Sequence, residues 1–388
     1  VEKAIDAQPD NNTGYTRIGE LYLDEYLTTG NEGHLSDAIN EFNKAIARDP
    51  GDFSAHNYMG YISMLKKEYQ TAIQYFEKNN ELYGTNIIPL YNLSIAHDAT
   101  NDIEKSMMYF TKALKKFRYD SILRARFDDF LIARDIKSGN PLRVDAANEY
   151  LTIARNRMKN NLTDQAILYL RRSVMLNPLM RDSREYLRDY YQANNYYTMY
   201  LQELKDLLRL YPDHGYQEML TTAVYKSRKK LFYKLGYTDE PPARDVPNVL
   251  VLDFNPAGTL SPHMDSGRVI ANYITFAMQQ FGRLRPVGIG ARAEISEINT
   301  GGIDYVERII ERIHESRDYR DTIDYIVYGN SLENSNHISV RFNILDNKTG
   351  IIIGEFELSE SGHESLPNLA LRVARRLYEH IPYRGRIL

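Results

Sequence analysis

The feature that most constrains the fold is an internal repeat with a period of 34 residues. Residues 53–84 recur at that shift, so that Gly60 aligns with Ser94 and Phe76 aligns with Phe110. In both copies, small residues stand between bulky apolar ones at helical spacing. A short helical hairpin of this kind can bury its apolar face only by stacking on neighbouring hairpins. The repeat therefore predicts a solenoid of helix–turn–helix units.

The period and the residue pattern resemble the tetratricopeptide repeat (TPR). The pattern extends over residues 1–236, with a lengthened first unit that ends at Pro50 and a capping helix at 216–235. Residues 119–145 interrupt it, because the helix predicted at Ser121–Ile136 lacks the partner helix that the period requires. The resemblance implies a surface that binds another protein.

The resemblance also implies which side chains line the concave groove, since the first helix of each TPR supplies them. The Lys and Asn that form the carboxylate clamp of chaperone-binding TPRs are missing at the aligned positions, which argues against a chaperone C-terminus as ligand. We expect a helix or an extended peptide instead. For each tyrosine in the set, helix packing remains an alternative role. The candidate partner-binding residues are Asn57, Tyr61, Met64, Tyr91, Ile95, Asp98, Arg155, Met158, Glu185, Asp189 and Gln192.

The periodicity changes after a linker rich in proline and charge at residues 237–247. Residues 248–388 predict strands and helices in the order β-α-β-α-β-β-β-α, and the DNKTG turn at 346–350 joins two of the strands into a hairpin. This order is typical of a mixed sheet with helices packed on it. The predicted fold class is therefore α+β overall: an N-terminal all-α solenoid followed by a smaller α/β domain.

Several local sequences in the C-terminal segment resemble the N-terminal domain of TolB and related domains of CsgG-, FlgT- and LpoB-type envelope proteins. They are Val251-Leu252-Asp253-Phe254, Tyr325-Ile326-Val327-Tyr328-Gly329, Leu345-Asp346 with Thr349-Gly350, the helix at 370–378, and Arg384-Gly385. The resemblance implies a protein-docking domain of the bacterial envelope, without catalysis, in the periplasm. A cytoplasmic location is the alternative. Because the sequence begins at Val1, a processed signal peptide or lipid anchor is compatible with it.

Composition and motifs point away from catalysis and cofactors. The chain has no cysteine, which excludes thiol nucleophiles and thiolate metal sites. The histidines are scattered, and His263 and Asp265 are interpreted as solvated or capping residues rather than metal ligands. The net charge of −4 gives no electrostatic reason to bind nucleic acid or anionic lipid, and the sequence contains no apolar run long enough to span a membrane. We predict no enzymatic activity, no cofactor and no metal site.

Two functions remain in view. The first is a protein-interaction scaffold of the bacterial envelope, in a flagellar motor, a secretion system or outer-membrane assembly. Its groove would hold one partner, and residues 248–388 would dock a second. The alternative is a sensor or regulatory module whose C-terminal domain binds a small ligand in the loops 255–266 and 288–302. The sequence identifies neither the partners nor the oligomeric state.

Overall fold

The computed structural model describes residues 12–382, except residues 85, 195, 236–245, 257–261, 282–283, 289–308, 312, 314, 317–318, 320 and 335–336. In the described part of the chain, twelve α-helices are followed by a mixed sheet with helices between and after its strands. The predicted α+β class is confirmed.

The first twelve helices follow one another mostly as antiparallel hairpins. The pairs α1–α2, α3–α4, α5–α6, α8–α9 and α10–α11 pack together. Their bounds are α1 (Asn12–Thr29), α2 (Glu32–Arg48), α3 (Phe53–Leu65), α4 (Tyr69–Tyr83), α5 (Ile87–Ala99), α6 (Ile103–Lys116), α7 (Ser121–Ala133), α8 (Pro141–Lys159), α9 (Thr163–Leu176), α10 (Arg181–Ala193), α11 (Tyr197–Leu210) and α12 (His214–Leu235).

The turns inside the hairpins repeat with the period of the sequence. The Glu68 amide donates to the Ser63 carbonyl at 2.8 Å, and the Asp102 amide donates to the His97 carbonyl at 2.9 Å. The residue before each donor is left-handed, with φ of 61° at both Lys67 and Asn101. A left-handed residue followed by a hydrogen bond back across five residues is the Schellman ending of a helix. Each copy of the repeat therefore closes its first helix in the same way.

The interruption at 119–145 contains a first helix and its turn without the usual second helix. Helix α7 ends in the same left-handed turn, with φ of 50° at Asp135. The chain then runs through turns until Asn140, whose side chain caps α8, and Pro141 occupies the first turn of that helix. Helix α8 is 19 residues long and pairs with α9. Helix α8 is therefore the first helix of the next hairpin, and among the described helices α7 has no second helix of its own.

Small residues in the first helix of a hairpin allow a ring of the second helix to pack against its backbone. A Cβ atom at Gly60 would lie 2.3 Å from Cε1 of Phe76. Both Phe76 and its repeat counterpart Phe110 are completely buried. Ser94, the counterpart of Gly60, accepts a hydrogen bond from the Ser106 hydroxyl through its carbonyl at 2.9 Å. The aligned small and large positions are therefore the packing positions of the repeat.

The C-terminal segment forms a mixed sheet. Strand β1 runs parallel to β4, β2 also pairs in parallel with β4, and β4, β5 and β6 are antiparallel neighbours. The predicted hairpin around residues 346–350 is confirmed as the connection between β5 and β6. The elements are β1 (Asn248–Val251), β2 (Asn255–Pro256), α13 (Ser266–Met278), β3 (Arg285–Pro286), β4 (Tyr325–Asn334), β5 (His337–Asp346), β6 (Ile351–Ser361) and α14 (Ser365–His380).

The chain divides into two compact units, and both take residues from either side of the predicted linker. The first unit comprises Val1–Phe127, Val249–Tyr273 and Val287–Leu369, and the second comprises Asp128–Asn248, Ile274–Pro286 and Ala370–Leu388. Most of the linker, at 236–245, lies outside the described residues. The domain boundaries at 1–236 and 248–388 remain a prediction.

Candidate partner-binding groove

Six of the predicted groove residues lie in the first unit, on α3 and α5. Half of them are buried: Tyr91 is fully inaccessible, and Asn57 and Ile95 are less than a tenth exposed. Asn57 accepts a hydrogen bond from the Asn92 side chain at 2.8 Å, which joins the two helices. Burial raises the pKa of Tyr61 to about 12. The remaining members of this set are Met64 and Asp98.

A segment of the chain itself contacts these positions. Residues 262–268, here called the groove segment, precede and begin α13. Their Asp265 is the central acceptor: the Tyr91 hydroxyl donates to its Oδ1 at 2.5 Å, and Arg126 Nε donates to its Oδ2 at 2.8 Å. Arg268 Nη2 donates to the same Oδ2 at 2.9 Å. A buried carboxylate therefore joins the groove segment to the repeat helices.

Arg126 extends this network to a second groove residue. Its Nη2 donates to Asp98 Oδ2 at 2.8 Å, and its guanidinium lies 5.8 Å from the ring centre of Phe110. Burial works against the charge of Asp265, but the neighbouring Arg126 and Arg268 outweigh it and lower the pKa of that carboxyl. Burial, followed by the charge of Asp265, raises the pKa of Tyr91 well above its usual value. The network therefore consists of ionised Asp265 and Arg126 with a neutral phenol.

His263 forms the second anchor of the groove segment. It is 1% exposed, with Nδ1 3.2 Å from Glu333 Oε1 and Nε2 3.3 Å from Asp120 Oδ1. Its ring meets the ring of Tyr91 edge-on, with centroids 4.5 Å apart. The interpretation of His263 and Asp265 as solvated is wrong, because His263 is buried and Asp265 is only 12% exposed, both among charged partners. The capping alternative fits Asp265, which immediately precedes α13 and accepts the Arg268 and Val269 amides through its carbonyl at 3.0 and 3.1 Å.

Apolar packing completes the contact between the groove segment and the repeats. Met64 of α3 and Met264 of the groove segment pack against the same buried cluster, which includes Phe76 and Leu93. The backbone of the segment is also tightly placed, since a Cβ atom at Gly267 would lie 1.8 Å from the carbonyl oxygen of Phe254. The groove segment therefore contacts Tyr91 directly and packs against the same apolar cluster as Met64.

The pair of carboxylates around His263 makes stability depend on pH. Burial disfavours the imidazolium, but the attraction of Asp120 and Glu333 outweighs burial and raises the pKa of His263 well above 6.5. A raised pKa means that the stabilisation is complete below the unfolded-state pKa of about 6.5 and is lost as pH rises through the folded-state pKa. We therefore expect the free energy of unfolding to fall between neutral and alkaline pH, by at most about 1.4 kcal/mol per pH unit.

Urea denaturation across this pH range tests the expectation. The His263→Gln variant is expected to be less stable at neutral pH and to show a flatter profile, because it lacks the titrating group. His214, whose side chain is 86% exposed, provides the matched control as His214→Gln. Parallel profiles for the native chain and His263→Gln would contradict the assignment.

The other five predicted groove residues lie in the second unit, on α8 and α10. Arg155 is 43% exposed, and its Nη2 contacts Asp182 Oδ2 at 2.5 Å. Its guanidinium also lies 5.9 Å from the ring centre of Tyr186, which is 38% exposed. Met158 packs partly against the buried cluster of this unit. This part of the second unit therefore combines the exposed charge of Arg155, the aromatic ring of Tyr186 and the partly buried apolar side chain of Met158.

Helix α10 adds polar groups to this surface. Glu185 accepts hydrogen bonds from Arg181 Nε at 3.1 Å and from the Tyr216 hydroxyl. Burial raises the pKa of Glu185, but these hydrogen bonds and the charge of Arg181 outweigh it and lower the pKa. Asp189, 61% exposed, pairs with Arg188, and Gln192 is exposed. Asp189 and Gln192 are exposed and can form hydrogen bonds and ion pairs with an incoming chain, whereas Glu185 is half-buried.

The sequence predicts no catalytic groups. Two observations on the described residues concern metal binding and membrane spanning. Among them, no group of three potential metal ligands is close enough to hold an ion. No described helix is both long and apolar enough to cross a membrane. The loop predicted at 288–302 for the alternative, ligand-binding function lies almost wholly outside the described residues.

The stacked hairpins, with their repeated turns, define a helical-repeat protein. The family model for the tetratricopeptide repeat matches residues 89–115, which include most of α5 and α6. This chain therefore contains a TPR, and TPR proteins mediate protein–protein interactions. No curated protein matches the sequence. No comparison supports the predicted resemblance to TolB, CsgG or FlgT in the C-terminal segment.

Several solved structures resemble the chain at low similarity. YrrB, a TPR protein with an unusual peptide-binding site, is 17% identical over 58% of this chain and 96% of its own, with a TM-score of 0.32. PilW, a type IV pilus biogenesis factor, is 14% identical over 59% and 95%, with a TM-score of 0.29. Yeast Tom70 is 16% identical over 60% and 50%, with a TM-score of 0.32. At these scores the similarities carry no argument about function.

Proposed function

We propose that the chain is a non-enzymatic protein-interaction scaffold whose partner binds the second unit at Arg155, Met158, Glu185, Asp189 and Gln192, here called the open groove face. The observation that carries the proposal is the contrast between the two sets of groove positions. Tyr91 and Asp98 are engaged by Asp265 and Arg126 of the same unit, whereas Arg155, Asp189 and Gln192 are exposed. A partner can contact the exposed residues on α8 and α10 directly. Binding at Tyr91 and Asp98 would require it to displace the charged network around Asp265.

The open groove face suits a helix or an extended peptide with charges of both signs. Arg155 can form an ion pair with an acidic residue of the partner in addition to Asp182, and Asp189 can pair with a basic residue, because both side chains are exposed. Tyr186 lies beside them and offers an amphipathic ring, the residue type that interfaces favour as an anchor. Exposed ion pairs contribute little to stability, so their exchange for intermolecular pairs costs little.

A second partner docks, in this proposal, on the segment 248–388, and the complex belongs to the bacterial envelope. Support for this part comes from the sequence alone, through the resemblance to TolB-type envelope domains. A periplasmic site within a flagellar motor, a secretion system or outer-membrane assembly is the corresponding proposal for location. No described feature favours the alternative role in sensing a small ligand.

Photo-crosslinking in cells that express the protein tests the open groove face. A photoreactive amino acid at Gln192 is expected to give an adduct with a discrete partner, and one at Met108, which is 51% exposed on α6, provides the control. Tyr186→Ala should reduce the Gln192 adduct by about ten-fold or more, since truncation of an aromatic anchor typically costs 1–2 kcal/mol or more of binding. Adducts at Met108 but none at Gln192 would refute the proposed surface.

A further inference from the structure

Strand β6 forms an outer edge of the sheet in the described part of the chain. It is 11 residues long and pairs with β5 on one side. Among the described strands, none pairs with its other side. Two large apolar residues at its start are exposed, Ile351 at 61% and Ile352 at 42%. A long edge strand with exposed apolar residues offers backbone N–H and C=O groups to another chain.

A bulge arranges the side chains of this edge. The register between β5 and β6 shifts at Ile344/Leu345, so that Ile353 has no direct partner, while Ile352 lies across from Leu345 and Glu355 lies across from Asn343. Residues directly opposite one another share a face of the sheet. The bulge thus places Ile352, Glu355 and Glu357 in one row on the same face.

The charge of this row is negative. The β6 sequence, IIIGEFELSES, contains three glutamates and no lysine or arginine. Glu357 is 63% exposed and pairs with Arg341 of β5 at 2.8 Å. Glu355 is exposed and has no ion pair among the described residues. An incoming strand therefore meets an apolar position followed by one unpaired and one paired carboxylate.

From this geometry we infer that β6 is a docking edge for an extended segment of a partner protein, which adds to the sheet as a further strand. The charge complementarity identifies the segment: lysine or arginine opposite Glu355 and Glu357, and an apolar residue opposite Ile352. A second copy of β6 fits poorly, because antiparallel self-pairing about Phe356 would place Glu355 opposite Glu357, and like charges in opposition are destabilising. The inference rests on the proposed docking role of residues 248–388 and specifies its surface.

Two synthetic peptides test this edge against the full-length protein. One alternates lysine with valine, and the other alternates glutamate with valine. In fluorescence anisotropy, the lysine peptide is expected to bind about ten-fold more tightly than the glutamate peptide. The double variant Glu355→Lys, Glu357→Lys should reverse this preference, and both substitutions are at exposed positions of the edge strand. Equal binding of both peptides, or an unchanged preference in the variant, would overturn the inference.

Hydrogen exchange separates strand addition from simple charge attraction. Saturating lysine peptide should slow exchange of β6 amides, and Ile352→Lys should weaken both the slowing and the binding. Binding of the peptide without slower exchange of the β6 amides would also overturn the inference. So would sedimentation analysis that shows a dimer of the native chain and a monomer of the Ile352→Lys variant. If neither peptide binds but residues 248–388 still crosslink to a partner through other surfaces, the proposed docking role stands and its assignment to the β6 edge is wrong.

Discussion

Replacing Asp265 with alanine is expected to lower the free energy of unfolding by about 3–5 kcal/mol, the usual loss when one partner of a buried ion pair is removed. Asp265 accepts hydrogen bonds from Tyr91, Arg126 and Arg268, and its side chain is 12% exposed. Without it, the Arg126 guanidinium would keep only Asp98 as its carboxylate partner in this network. The change should appear in urea denaturation followed by far-ultraviolet circular dichroism.

Asp189→Ala is the matched control for this prediction. Asp189 is 61% exposed and pairs only with the adjacent Arg188 in the described ion pairs. Its replacement should change stability by about 0.5 kcal/mol or less. Similar small losses for both variants would show that the groove segment is not anchored as described.

Replacing Arg172 with methionine is expected to destabilise the second unit by a similar amount, about 3–5 kcal/mol. Arg172 is 2% exposed, with Nη2 3.2 Å from Asp128 Oδ2 and Nη1 3.1 Å from Asp129 Oδ1. Asp128 is completely buried and also accepts a hydrogen bond from the Tyr150 hydroxyl. The variant would leave a buried carboxylate without this cation, and faster hydrogen exchange in α9 should report the loss.

A second substitution distinguishes the charge from the packing. Adding Asp128→Asn to Arg172→Met removes the uncompensated negative charge and retains a side chain that can hydrogen-bond with Tyr150. The double variant should therefore recover at least about 1 kcal/mol relative to Arg172→Met. A double variant that is less stable than the single one would assign the effect to lost packing around Phe276, whose ring centre lies 5.4 Å from the Arg172 guanidinium.

The repeat and the β5–β6 hairpin were predictable because both depend on local patterns, whereas the short strand β2 was not predicted. The 34-residue period located Gly60, Phe76 and their counterparts, and the structure packs those positions together. Alternation of apolar residues located the β5–β6 hairpin, although both strands extend beyond the predicted bounds. Local periodicity is the strongest signal that a single sequence carries.

The contact between the groove segment and the predicted groove residues on α3 and α5 was not predictable in the same way. Tyr91 and Asp265 are separated by 174 positions, and His263 and Glu333 by 70. No local pattern links residues at such distances, and a short His-Met-Asp sequence in a turn has the composition of an ordinary loop. One signal was available: His263, Asp265 and Arg268 concentrate charge around the start of an amphipathic helix. That signal marks a helix start equally well.

The double-mutant cycle of Tyr91→Phe and Asp265→Ala tests most directly whether the groove segment occupies the groove of the first unit. Tyr91→Phe removes the donor of the Tyr91–Asp265 hydrogen bond and Asp265→Ala removes its acceptor, and unfolding free energies of the native chain, both single variants and the double variant give the coupling. A direct contact predicts a coupling energy of about 1 kcal/mol or more. Additive effects within about 0.3 kcal/mol would contradict the contact, and with it the assignment of partner binding to the open groove face.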